Sequence, residues 1–172
     1  MLIGDTIKHL CDQGRLFEVR PLDWRAPIER KVYVSPDLHR FLTQPSSDKG
    51  ANLDRRKLQR LFDRFISGRG ISVALERRTK SSDLKRLSRG EDEVWEFKVR
   101  AAKPQLRVFG RFASVDIFIA LTGPVDRRNC DYPGEIIRCQ REWHTLLPEY
   151  SPVHGSQAND YISTNVVSLG NS

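Results

Sequence analysis

The chain has 172 residues, 38% hydrophobic and 30% charged, with a net charge of +7. That is enough for one ordinary domain with a real core plus some tail, and it describes a globular protein with a heavily charged surface. No apolar run approaches the ~20 residues of a membrane helix, and Met1 to Leu10 lacks the basic start and apolar stretch of a secretory leader. A cytoplasmic protein with no membrane partner is expected.

The charge is concentrated. From Asp54 to Arg111 there are 17 Lys or Arg against 8 Asp or Glu, while the remainder has 12 against 14. One continuous third of the chain therefore holds all the excess positive charge, as expected of a protein that meets phosphates. Cys11, Cys130 and Cys139 are odd in number and widely spaced, which argues against a disulfide framework. With no Cys-x-x-Cys pair and with His9, His39, His144 and His154 scattered, no metal site and no cofactor are expected.

In chain order, residues 1–30 read as an N-terminal extension with a short helix near Gly4–Gln13, in which Leu10, Leu16, Phe17, Val19 and Trp24 are available for packing. Lys31–Ser35 is β-branched and aromatic and predicts a strand. Ser35-Pro36-Asp37 then supplies an N-cap and a first-turn proline for a helix to about Thr43. Leu53, Leu58, Leu61, Phe62, Phe65 and Ile66 recur at helical spacing and predict a helix over 51–67, ended by Gly68 and Gly70, with Arg55, Arg56, Arg60 and Arg64 on a solvated face. Residues 71–90 read as an irregular basic connection.

Three strands follow. Val94–Arg100 and Gln105–Phe112 alternate cleanly, and Val115–Leu121 is nearly all apolar, with Ala113-Ser114 as the tight connection before it. Asp131-Tyr132-Pro133 opens a last helix with a buried stripe of Ile136, Ile137, Gln140, Trp143 and Leu147, stopped by Pro148. The remainder, 149–172, reads as a flexible tail, within which 161–167 is capable of a short strand. The expected fold is α+β: a small antiparallel sheet with packed helices, in the order β-α-α-β-β-β-α over residues 31–148.

A four-residue loop at 101–104 fixes the register of the first hairpin. Lys98 falls opposite Arg107, Glu96 opposite Phe109, and Trp95 opposite Gly110. Phe97 then meets Val108 and Val99 meets Leu106, and a one-residue slip would destroy this match of apolar faces. The outer face so defined carries Lys98, Arg100, Arg107 and Arg111, with Glu96 as its single acid and Phe109 as a stacking platform for a nucleobase. Cations on a rigid sheet suit metal-independent cleavage of RNA through its 2′-hydroxyl. For proton transfer the sequence offers Glu96, Tyr132, His144 and Tyr150.

The runs Asp83-Leu84-Lys85-Arg86-Leu87, Glu93-Val94-Trp95-Glu96-Phe97-Lys98, Gln105-Leu106-Arg107-Val108-Phe109 and Pro133-Gly134-Glu135-Ile136-Ile137 resemble the RelE/HigB toxin superfamily, its phage-derived HigB-like branch most of all. The resemblance implies a ribosome-associated mRNA endonuclease that inhibits translation and is blocked by a cognate antitoxin. Arg107 stands where the family has its phosphate-contacting arginine; Lys98 and Arg128, with Glu96 from the hairpin face, complete the expected catalytic set. Lys80, Lys85 and Arg127 are RNA-binding residues that the resemblance implies, and Arg100, Phe109 and Arg111 are those expected from the hairpin face. The chain departs from the family in placing Gly123-Pro124-Val125-Asp126 before Arg127-Arg128, where the family's loop is lysine-rich, and in its extra length at both ends. Two further readings stay open. One is a non-catalytic, phage-encoded protein that holds nucleic acid or a host protein on the same fold. The other is an adaptor whose contacts lie around Leu16 to Trp24.

Overall fold

The helix-start signals act as their chemistry dictates. Ser35 accepts a hydrogen bond from the Leu38 N–H, with Pro36 in the first turn, and opens α2 (Pro36–Thr43). Asp48 caps α3 (Lys49–Ile66) and Asp131 caps α4 (Tyr132–Leu146) in the same way, through Gly50 and Gly134. The first helix, α1, spans Ile3–Asp12. The structure, a computed structural model, describes residues 1–76, 81–87 and 90–170, and none of the described helices is long and apolar enough to cross a membrane.

Eight strands form one sheet: β1 (Phe17–Glu18), β2 (Lys31–Val34), β3 (Ile71–Ala74), β4 (Leu84–Arg86), β5 (Trp95–Val99), β6 (Leu106–Ser114), β7 (Ile117–Asp126) and β8 (Val166–Ser168). Their spatial order is β1-β2-β7-β6-β5-β4-β3-β8. This corrects the expected small antiparallel sheet and its β-α-α-β-β-β-α order. The sheet is mixed, because β2 lies parallel to β7, and β3 parallel to both β4 and β8. The stretch read as an irregular connection supplies β3 and β4, whose Ile71, Val73 and Leu84 are buried in the core with α3.

The β5–β6 hairpin pairs as its alternation requires: Trp95 with Gly110, Glu96 with Phe109, Phe97 with Val108, Lys98 with Arg107 and Val99 with Leu106. The next turn falls at Val115-Asp116, two residues beyond the position read from the sequence. Strand β7 continues through the Gly123-Pro124 segment to Asp126. At the β6–β7 crossing a Cβ on Gly110 would lie 2.1 Å from the Ile119 carbonyl oxygen, so only glycine fits there.

Two cores sandwich the sheet. On one face Phe62 and Phe65 of α3 meet Phe97 edge-on, at ring separations of 5.4 and 5.5 Å, within a cluster that includes Val32, Val34, Val108 and Phe118. On the other, Ile7 and Leu10 of α1, Leu16, and Cys139, Trp143 and Leu147 at the end of the chain's last helix cover Phe109, Ile119 and Leu121. The buried stripe of α4 is Glu135, Cys139 and Trp143, while Ile137 is half exposed. This helix is thus rotated from the stripe read in the sequence, because a cysteine and a glutamate take the inward positions.

The segment after Pro148 is packed rather than flexible. The Val153 N–H donates to the Phe112 carbonyl, Ile162 is buried, and the Tyr161 hydroxyl donates to the Glu93 carboxylate at 2.6 Å. Arg30, 2% exposed, ties this segment to the rest. Its guanidinium donates to the carbonyls of Phe65 (2.9 Å), Arg69 (2.9 Å) and Thr164 (2.7 Å). Arg30→Met would remove the side-chain donor from all three carbonyls, of which, among the described residues, Phe65 alone keeps a backbone donor, from Gly68. A loss of about 3–4 kcal/mol is expected, measured as a lower urea midpoint at unchanged slope. Arg30→Lys should recover less than half of it, since an ammonium has no fork.

Candidate functional site

Period-two alternation puts Lys85 of β4, Glu96 and Lys98 of β5, and Arg107, Phe109 and Arg111 of β6 on one face of the sheet. The RNA-facing reading of the sequence requires that face to be open. It is covered by α1 and α4, because their apolar stripes need a surface to bury against. Phe109 is fully buried, its ring edge-on to Tyr132 at 6.0 Å, and offers no stacking platform. Arg111 lies over Trp143 at 5.5 Å and donates to the Asp92 carbonyl, so it serves packing.

Glu96, Lys98 and Arg107 do come together, each almost fully buried. The Arg107 Nε lies 3.5 Å from the Glu96 carboxylate, and its terminal nitrogens donate to the Leu106 carbonyl at 3.0 Å and the Gln105 side chain at 3.1 Å. Burial pushes the Glu96 carboxyl up, against the pull of Arg107 and Lys98. Burial drives the Lys98 amine down to about 8, against the pull of Glu96. Tyr132, at the start of α4, is raised by burial and then by the Glu96 charge.

The other sequence-derived candidates are dispersed. Lys85 lies half-buried opposite Glu96. Arg127 and Arg128 are exposed on the turn after β7, where Arg128 closes on Asp126 at 2.8 Å. Arg100 is exposed and pairs with Asp83 at 3.3 Å. Lys80 lies outside the described residues. His144 is exposed late in α4, and the Tyr150 hydroxyl ties the segment after α4 to the start of the chain through Thr6 and the Met1 carbonyl. Among the described residues no three His, Cys, Asp or Glu side chains gather as a metal site.

Sequence reasoning missed a cavity of about 580 Å³ between α3, residues 21–26 and the adjoining ends of β4 and β5. Its lining carries five cations, Arg60, Arg64, Arg69, Lys98 and Arg100, against three acids, Asp23, Asp63 and Asp83. Asp83 accepts from Arg64 at 2.6 Å, from Arg100, and from the backbone and hydroxyl of Ser72. Burial raises the Asp83 carboxyl, but the Ser72 backbone bond and Arg64 outweigh it and hold it below the ordinary value. Trp24 sits between the lining residues Asp23 and Ala26 with 87% of its surface exposed. The Leu22 N–H, donating to Asp63, and Gln59, donating to the Arg20 carbonyl, hold that segment to α3. The i, i+4 arginines of α3 were the available signal, but their partners are far away in sequence.

Lys98 belongs to both regions: it flanks Glu96 in the buried cluster and lines the cavity. At pH 7 a fraction of its amine is neutral, which makes it a proton acceptor within the buried cluster. No protein-family model, curated protein or solved structure matches the chain. Function is therefore argued from these residues.

Reductive ¹³C-methylation with NMR should show one lysine titrating near pH 8, absent from Lys98→Met. A lysine whose folded-state pKa lies below its unfolded value destabilises the fold while protonated. Wild type should thus gain stability relative to Lys98→Met as pH rises from about 8 toward the ordinary lysine value.

Proposed function

We propose that the protein binds single-stranded RNA through the cation-lined cavity. The observation that carries this reading is the gathering of Arg60, Arg64, Arg69 and Arg100 around a solvent-open cavity with an exposed tryptophan on the adjoining segment. Guanidinium forks suit phosphate, and an aromatic face takes a nucleobase of any identity, so the combination suits a strand whose bases are unpaired. The concentration of positive charge between Asp54 and Arg111 supports the same partner.

Fluorescence anisotropy with a single-stranded RNA and its duplex tests this. The single strand is expected to bind tighter. Trp24→Ala should weaken it about tenfold, through a lost stacking contact. Arg60→Ala should lower the slope of log affinity against log salt by about 0.7, one phosphate contact on a single strand. Binding indifferent to both substitutions and to salt would sink the proposal.

A second reading adds cleavage, favoured by the buried grouping of Glu96, Lys98 and Arg107, in which the Lys98 amine is driven down to about 8. The neutral amine would accept the 2′-hydroxyl proton as that oxygen attacks phosphorus. The bond to the 5′-oxygen breaks and that oxygen takes a proton from solvent, leaving a 2′,3′-cyclic phosphate and a 5′-hydroxyl. The arginines would neutralise the charge developing on phosphorus. Mass spectrometry of incubated RNA should reveal cyclic-phosphate ends, reduced at least about a hundredfold by Lys98→Met. Growth inhibition, the ribosome and a cognate antitoxin rest on the sequence resemblance. Induced expression of wild type beside Lys98→Met and Arg107→Ala, with mapping of mRNA 5′ ends, tests them.

A further inference from the structure

We infer that the RNA strand does not stop at the cavity but runs on along the outer ridge of α3, where Arg56, one turn beyond the lining, contacts its backbone. The inference rests on the RNA-binding reading and extends it from a pocket to a track.

Helix geometry places the ridge. On one flank of α3, Gln59 donates to the Arg20 carbonyl and Asp63 accepts from the Leu22 N–H, so the segment bearing Trp24 lies along that side. On the other flank the Lys57 ammonium donates to the Ala101 carbonyl at 2.7 Å, which brings the β5–β6 loop with exposed Arg100 and Lys103 alongside. At roughly 100° per residue, Leu53, Arg56, Arg60 and Arg64 fall between these two flanks. They form the floor of a shallow channel walled by the two segments. Arg60 and Arg64 line the cavity at one end, and exposed Arg56 continues the row away from it. Leu53, 47% exposed, adds apolar surface at the far end for a ribose or base.

The charge pattern asks for an external anion. Helix α3 carries Lys49, Arg55, Arg56, Lys57, Arg60 and Arg64 against Asp54 and Asp63 alone, with no acid in its first turn. Arg56 stands four residues before Arg60, and Arg60 four before Arg64, so like charges neighbour each other along the row, a spacing that weakens a helix. An exposed helix face held by its own ion pairs interleaves acids with bases. Here Asp63 is engaged by Gln59 and Leu22, Arg64 pairs with Asp83, and among the described residues Arg56 and Arg60 close on no acid. A line of phosphates supplies the missing negative charge along the whole row. From Arg56 to Arg64 the helix rises about 12 Å, the span of up to about four stacked nucleotides.

The test uses the full chain and labelled oligouridylates of two, four, six and ten nucleotides, with affinities read by anisotropy over a range of salt. The six-nucleotide strand should bind at least about tenfold tighter than the two-nucleotide one, with little further gain at ten. Arg56→Ala should lower the slope of log affinity against log salt by about 0.7 for the six-nucleotide strand, leave the two-nucleotide one unchanged, and be rescued by Arg56→Lys. It should not lower the urea midpoint, since it removes a like-charged neighbour. Equal affinity at all lengths, or a slope indifferent to Arg56→Ala, overturns the track while leaving the cavity reading intact. Absence of binding at every length removes both. Competition by a polyglutamate peptide as effective as by the six-nucleotide strand assigns the ridge to an acidic protein and overturns the inference.

Discussion

The buried guanidinium of Arg30 donates to carbonyls at the end of α3, in the turn behind it and in the segment entering β8. Its own backbone N–H and that of Glu29 donate to the Ile66 carbonyl. Burying a charge is unfavourable unless its donors are used, and here the acceptors are carbonyls, two of them beside the negative end of a helix dipole. The constraint reaches further than its own contacts. It fixes the end of the 20–30 segment against α3, and that segment supplies one wall of the cavity. It also fixes the approach of β8 to β3, which completes the sheet. Cavity, sheet edge and helix end share this single anchor.

The basic third of the chain serves two physical purposes. On β5 and β6 its cations point inward, and Lys98 stands opposite Arg107. Like charges so placed repel, and Glu96 offsets them beneath the cover of α4. On α3 and at the end of β5 the cations line a space open to solvent. Lys98 joins the two settings: its amine feels the buried acid, and its residue borders the cavity at the end of β5.

Much of this was legible in the sequence. The hairpin register could be read because two apolar faces, Phe97 with Val99 and Val108 with Leu106, match in one alignment only. Helix boundaries fell within about two residues where a side chain caps them, as Ser35 and Asp131 do. Short strands were less legible, since Ile71–Ala74 and Leu84–Arg86 have too few residues to express a period amid charged neighbours. The cover over the basic face was not legible either: alternation tells which side chains share a face, not what lies above it. Nor could the packing of Tyr161 and Ile162 be seen, because isolated apolar residues in a polar stretch carry no periodicity. Lys98, Glu96 and Arg107 were found together as expected. The cavity was missed because α3, the 21–26 segment and the start of β4 meet only in three dimensions.

The pairing of β3 with β8 joins Ile71 to Val166, across most of the chain's length. Contacts so distant in sequence must close a large loop before they return any stabilisation, which slows folding. A nascent chain halted before residue 160 would present the unpaired rim of β3 to the cell and leave Arg30 short of its acceptor at Thr164. During synthesis this sheet is an open-ended surface, and it acquires its final border only when the last segment arrives.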